Sequence, residues 1–213
     1  MISAVKKTCN FFPPAAVKSR CKAKILLNAV QDDQFQGEKD KQAGLLEFSQ
    51  IFDEYFDKIY QFFYFRLRNR EDSEDLAAMT FEKVFKNLDS YSERGHGIAA
   101  WIYTIARNVL NDFFRKKKLK KDWIDDLPPS KMPSEDFDLK SLDIKLFQEH
   151  LWEAIKNLPE KQQMVWSLKL TEDLPHKIIA EVLETTEANV NVMIHRSLKL
   201  LKQQLQHLND QEG

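Results

Sequence analysis

Between residues 45 and 67, nine large apolar side chains recur at mostly three- and four-residue steps: Leu45, Phe48, Phe52, Tyr55, Phe56, Ile59, Phe62, Phe63 and Leu67. Such a row lies along one side of a helix, whereas a strand would scatter it over both faces. A second row, at positions 98, 101, 102, 105, 106, 109, 110 and 113, repeats the pattern almost without a break. Between them, Leu76, Met79, Phe81, Val84, Phe85 and Leu88 mark a third helix, from Glu74 to about Leu88, with Asp72 or Ser73 placed to cap it. No segment alternates with period two, and glycine supplies only five of 213 residues. The expected fold is all-α.

A polar loop, Asp89 to Gly97, joins the second and third of these helices. After residue 121 the helical pattern stops, and residues 122–145 bring acids together with Pro128, Pro129 and Pro133. This composition reads as a linker. A second helical set follows, over Leu146–Asn157, Pro159 to about Leu170, Pro175–Leu183 and Glu187 to about His207, with each proline expected in a helix first turn. The domain reading is therefore a helical unit at 45–121, an acidic linker at 122–145 and a second helical unit at 146–208. Residues 1–44 hold six basic residues before position 25 and no acid until Asp32. They read as a basic, disordered N-terminal extension with room for one short amphipathic helix around Ala15 to Val30, and a basic arm that binds nucleic acid is the alternative.

The net charge of −1 conceals a dipolar chain. Arg107, Arg115, Lys116, Lys117, Lys118, Lys120 and Lys121 face a single acid, Asp112, and the next 22 positions reverse the sign with seven acids against Lys131 and Lys140. Trp101, Tyr103, Phe113 and Phe114 interleave with Arg107, Asn108, Asn111 and Arg115. Rings that stack on bases beside cations that meet phosphates suit unpaired nucleic acid. Core packing of Trp101 and Phe113, with a solvated lysine run, is the competing account of the same residues.

Leu174 to Leu201 has helix-turn-helix spacing. Ile178, Ile179, Val182 and Leu183 form one inner face, Thr185-Thr186 the turn, and Val190, Ile194, Leu198 and Leu201 the second inner face. Thr186 is placed to cap the second helix. Asn189, Asn191, Val192, His195, Arg196 and Lys199 then point outward, where a recognition helix meets a major groove. A plain αα-hairpin shares much of this spacing.

No catalytic pattern is present. The five histidines are scattered, and no glycine-rich phosphate loop or nucleophile motif occurs. Cys9 and Cys21 match no metal-ligand spacing and read as reduced thiols of a cytoplasmic protein. No apolar run approaches the ~18 residues of a membrane span, and no secretion signal is read at the start of the chain. No enzyme, cofactor or metal is expected.

The run Ile98-Ala-Ala-Trp-Ile-Tyr-Thr-Ile-Ala-Arg-Asn, with Asp112 and the basic cluster at Arg115, resembles the promoter-melting helix of the extracytoplasmic-function (ECF) bacterial RNA polymerase sigma factors. Glu74-Asp75-Leu76 with Thr80-Phe81 and Val84 resembles the preceding helix of that family, and Leu158-Pro-Glu-Lys-Gln, Ile179-Ala-Glu-Val-Leu and His195-Arg196 resemble its C-terminal domain. The resemblance covers about Phe48 to Leu205. It implies two small helical domains joined by the acidic linker, the second with the helix-turn-helix. It implies docking on core RNA polymerase (beta and beta-prime subunits) through Asp75, Leu76, Thr80 and Phe81. It implies minus-ten capture and promoter DNA melting through Tyr91, Arg94, Trp101, Arg107, Asn108, Asn111, Arg115, Lys116, Lys117 and Lys118. It implies minus-thirty-five reading through Asn189, Asn191, Val192, His195, Arg196 and Lys199. The linker would run near the polymerase active centre, the regulon would answer stress or envelope damage, and an anti-sigma factor is a candidate partner. The family's turn glycine is Glu184 here, its polar pair before Thr80-Phe81 is Ala78-Met79, and Asn191 and Met193 stand where cations are usual. A sigma-like protein that reads no promoter, and a helix-turn-helix factor acting alone, are the alternatives.

Overall fold

The computed structural model of the chain describes residues 15–31, 38–91, 97–121 and 150–211. Every regular element among them is a helix. They are α1 (Ala15–Gln31), α2 (Glu38–Leu67), α3 (Arg70–Asn87), α4 (Gly97–Lys121), α5 (residues 150–156), α6 (Glu160–Glu172), α7 (His176–Val182) and α8 (Glu187–Gln211). They fall into two compact units, one holding α1–α4 and the other α5–α8. The linker stretch 122–145 and the loop residue Arg94 lie outside the described residues.

The first unit is organised by the aromatic row of α2. Phe48, Phe52, Phe56, Ile59, Phe62 and Phe63 are all fully buried. Phe52 meets Phe56 at 4.7 Å and Phe81 of α3 at 4.8 Å, Phe48 meets Phe85 edge-on at 5.0 Å, and Phe62 meets Tyr103 of α4 edge-on at 5.8 Å. Tilted and edge-to-face pairs of this kind add to area burial, because positive ring edges meet negative ring faces. α3 begins earlier than its apolar pattern suggests. Asn69, not Asp72 or Ser73, is the N-cap, and its side chain accepts from the Asp72 amide at 2.9 Å. Glu71 and Asp72 then occupy the first turn, where carboxylates favour the positive end of the helix dipole.

The basic extension holds a packed helix. α1 lies on α2 and α3 and buries Val17 and Ile25. Lys18 Nζ donates to Asp57 Oδ2 at 2.8 Å, and Lys22 Nζ donates to Asp53 Oδ2 at 2.6 Å. Moving four residues up α1 matches four residues down α2, so the two helices run antiparallel. Residues 15–31 therefore depart from the expected disordered tail.

In the second unit, Ala154, Ile155, Leu158, Val165, Trp166, Leu168, Ile179, Val182, Val190 and Leu201 supply the core. Pro159 and Pro175 both sit one position before their helices, as N-cap residues with φ −54° and ψ 144°. Gln163 Nε2 donates to the Lys156 and Leu158 carbonyls at 2.7 and 2.6 Å, satisfying the end of α5. α7 ends in a Schellman turn: the Thr185 amide donates to the Ala180 carbonyl at 2.8 Å, and the Glu184 amide to the Glu181 carbonyl at 3.0 Å. Glu184, the position that carries glycine in the family it resembles, has φ 52°.

Candidate functional site

α4 divides its two faces cleanly. Ala100, Ile102, Tyr103, Ala106, Val109 and Leu110 are buried, while Asn108, Asn111, Arg115, Lys116 and Lys117 are exposed and Trp101 and Arg107 are half-buried. Positions 101, 104, 108, 111 and 115 advance by alternating three and four residues, so Trp101, Asn108, Asn111 and Arg115 lie along one side of the helix. At 1.5 Å per residue that side runs about 21 Å. Trp101 and Phe113 are half-buried, so they pack at the edge of the core without being sealed in it. The Tyr91 ring lies 4.9 Å from that of Trp101, tilted by 37°. An aromatic pair thus stands at the end of α4 nearest the 92–96 loop, with the cations further along the helix.

The cations are held in place by modest local contacts. Arg107 Nη2 donates to Asn108 Oδ1 at 3.3 Å, Arg115 Nη2 pairs with Asp112 at 2.9 Å, and Lys117 Nζ sits 5.5 Å from the Phe113 ring. These are exposed pairs, worth at most about 1 kcal/mol each, and an incoming phosphate can displace them. Lys118 lies within α4, and its side chain is outside the described residues.

The docking set separates by depth. Asp75 is exposed, but Leu76, Thr80 and Phe81 are buried, the last two completely. Thr80 Oγ1 donates to the Leu76 carbonyl at 2.8 Å, and Phe81 packs against Phe52 and Phe56. Phe81 therefore holds α3 against α2, and Leu76 and Thr80 lie on the buried side of the helix with it. The exposed residues of α3 are Arg70, Glu71, Asp75, Met79, Lys83, Lys86 and Asn87. Met79, grouped by its sequence with the inner apolar residues, is 41% exposed. It stands one turn from Asp75, and that i, i+4 relation was the signal that could have found it.

In the second unit, Asn189, Asn191, Val192, His195, Arg196 and Lys199 are all exposed on α8. Thr186 Oγ1 accepts from the Asn189 amide at 3.2 Å and caps the helix, and Asn189 Nδ2 donates to Thr185 Oγ1 at 3.2 Å. Val192, 44% exposed, places a bare apolar surface amid polar neighbours. The helix is fixed from behind by a contact the apolar pattern did not signal. Ser197 is buried, and its hydroxyl accepts from Trp166 Nε1 of α6 at 2.7 Å while lying 2.7 Å from the Met193 carbonyl to which it donates.

Among the described residues no group of histidine, cysteine and acidic side chains could hold a metal ion, and no helix is long and apolar enough to cross a membrane.

Comparison with known proteins gives two matches in separate parts of the chain. The family described as Sigma-70 region 2 matches residues 51–120, and Sigma-70, region 4 matches residues 148–201. The ECF RNA polymerase sigma factor SigW of Bacillus subtilis (strain 168) is 30% identical over 171 residues, spanning 76% of this chain and 90% of SigW. The ECF RNA polymerase sigma factor BldN of Streptomyces coelicolor is 26% identical over 166 residues, and the alignment spans 75% of this chain and 61% of BldN. Two solved structures share the fold. The sigma factor RpoE of Bartonella quintana, in complex with the anti-sigma factor NepR, superposes with TM-score 0.59 at 18% identity over 75% of this chain and 97% of RpoE. CnrH, in complex with the cytosolic domain of CnrY, does so with TM-score 0.56 at 16% identity over 88% of this chain and 98% of CnrH.

Proposed function

Because this chain belongs to the ECF RNA polymerase sigma factors, a family of transcription initiation factors and not enzymes, we propose that it binds core RNA polymerase through the outer face of α3, melts promoter DNA along α4 and reads duplex DNA through α8. The observation that carries the reading is the division of α4: a sealed apolar side, and opposite it the Tyr91–Trp101 pair continued by Asn108, Asn111 and Arg115. An unstacked base meets the rings while the strand's phosphates meet the cations. Arg94, in the adjoining loop, belongs to the same proposed surface.

On α8, Asn191 has the donor and acceptor to pair with adenine, Arg196 suits guanine, and Val192 suits a thymine methyl. Lys199 adds phosphate attraction without base choice. The bound domains are residues 45–121 and 146–208, joined by the acidic linker. Acting on chromosomal promoters places the protein in the cytoplasm. We also infer a stress or envelope-response regulon, and an anti-sigma partner of the kind named for RpoE of Bartonella quintana.

Run-off transcription with core RNA polymerase over a genomic DNA library, across a salt series, tests this. Replacing Lys116, Lys117 and Lys118 by alanine should lower open-complex formation and flatten its salt dependence, because fewer counterions are released. Arg196→Ala should lose about 1–3 kcal/mol and relax the preference at one upstream base, while Lys199→Ala should weaken all templates alike. Asp75→Lys should reduce core binding in a pull-down with far-UV circular dichroism unchanged. Wild-type transcription by the lysine triple variant would refute the role given to α4.

A further inference from the structure

α1 lies ahead of the stretch that matches Sigma-70 region 2, residues 51–120. Its placement is specific. Val17, Cys21 and Ile25 follow one another at four-residue steps on the side facing α2 and α3, with Val17 and Ile25 buried and Cys21 half-buried, while Ser19, Arg20, Ala23 and Lys24 face outward. Two lysines at the edge of that stripe reach acids of α2, Lys18 to Asp57 and Lys22 to Asp53, and Arg20 reaches Glu74 of α3 at 3.7 Å. Glu74 is the neighbour of Asp75, the exposed acid of the proposed docking face. Burial pushes the Cys21 thiol up, with further contributions from Glu74 and Asp75, which places α1 within the field of both carboxylates.

We propose that α1 is an intramolecular cover on the acidic shoulder of α2 and α3, and that RNA polymerase must displace it to dock along α3. The inference rests on the reading of α3 as the docking helix. A surface complementary to Asp75 presents cations, and Arg20, which reaches the adjacent Glu74, carries the same sign. A helix with its side chains is about 10 Å across, so a partner lying along α3 also meets the flank of α1. The interface suits release. Among the described residues its apolar part is Val17 and Ile25 with the half-buried Cys21, and its polar part is three ion pairs in contact with solvent and a hydrogen bond from Lys18 Nζ to the Asp53 carbonyl at 3.0 Å; exposed ion pairs are individually weak. A cover closed in about nine molecules of ten lowers apparent affinity about tenfold.

The test compares the full chain with two variants in equilibrium binding to core RNA polymerase. One carries Lys18→Glu, Arg20→Glu and Lys22→Glu, which sets acid against acid across the interface; the other begins at residue 32. Both should bind about tenfold more tightly than the full chain. Adding Asp75→Lys to each should remove most of that binding. If Asp75→Lys weakens binding but neither variant binds more tightly than the full chain, α1 is no cover and the docking reading stands. If Asp75→Lys has no effect in any background, the docking reading fails and takes the cover with it. Loss of the cooperative thermal transition in both variants would also overturn the proposal, because α1 would then be part of the fold.

Discussion

Replacing Glu184 by glycine probes one backbone conformation. Glu184 has φ 52°, and a left-handed conformation costs an L-residue roughly 1–2 kcal/mol through its Cβ. Both hydrogen bonds of the turn come from main-chain amides, those of Glu184 and Thr185, so glycine keeps them. Against the relieved strain stands the greater freedom of glycine in the unfolded chain, worth about 0.4–1 kcal/mol. The net expectation is a gain of about 0.5–1 kcal/mol, which in a domain of this size raises the melting temperature by about 2–8 °C. Differential scanning calorimetry of the intact protein would follow the transition of the α5–α8 unit, with Glu184→Ala as the control. Alanine retains Cβ and should leave the midpoint nearly unchanged. A neutral or destabilising glycine variant, or an alanine variant that matches it, would show that the strain is relieved in some other way or that the gain comes from losing the acid.

Ser197→Ala should cost about 1–3 kcal/mol in urea denaturation, because Trp166 Nε1 loses its acceptor at a buried site; an unchanged midpoint would mean the indole finds another. Burial pushes the Tyr60 phenol up to about 12, above its ordinary value near 10. The unfolded chain therefore ionises first, and the folded state keeps its full advantage below pH 10 and loses it as pH rises through about 12. Tyr60→Phe should flatten that alkaline loss in denaturation curves, and an equally steep loss in the variant would refute the assignment. Limited proteolysis should cut between Lys121 and Lys145 and leave two resistant fragments, since few apolar residues there could join two cores; one fragment spanning that stretch would contradict the division into domains.

The long helices were legible because their apolar side chains repeat with the helical period, and the rows Phe48 to Phe63 and Ile102 to Leu110 are buried where that period puts them, apart from the half-buried Tyr55 and Ile105. The caps were less so. Asn69, Asp72 and Ser73 can all cap a helix, and choosing among them needs the backbone, which turns at Asn69. The helix around Ala15 to Val30 came second to a disordered tail because its partner acids Asp53, Asp57 and Glu74 lie 31 to 54 residues away in sequence, and without them six cations near two prolines read as solvated. Leu76, Thr80 and Phe81 were carried to the docking face by resemblance, although their own spacing with Ala77 and Val84 marks the inner stripe, and the structure buries them. Ser197 had no sequence signal, since its reason for being buried is an indole 31 residues earlier.

The Trp166–Ser197 contact also governs how α8 is turned about its own axis. Each residue along a helix advances by about 100°, so a slip of one position would carry Arg196 toward the core and Ser197 toward solvent. One buried hydrogen bond between side chains of fixed length resists that slip, as a key holds a shaft in its hub. Aim and choice are then separate properties of the helix. The inner residues decide which way it faces, and the outer six can be exchanged as a cassette without re-aiming it, so if α8 is the reading helix proposed above, duplicated copies of such a chain could part company in what they read while sharing one unaltered scaffold.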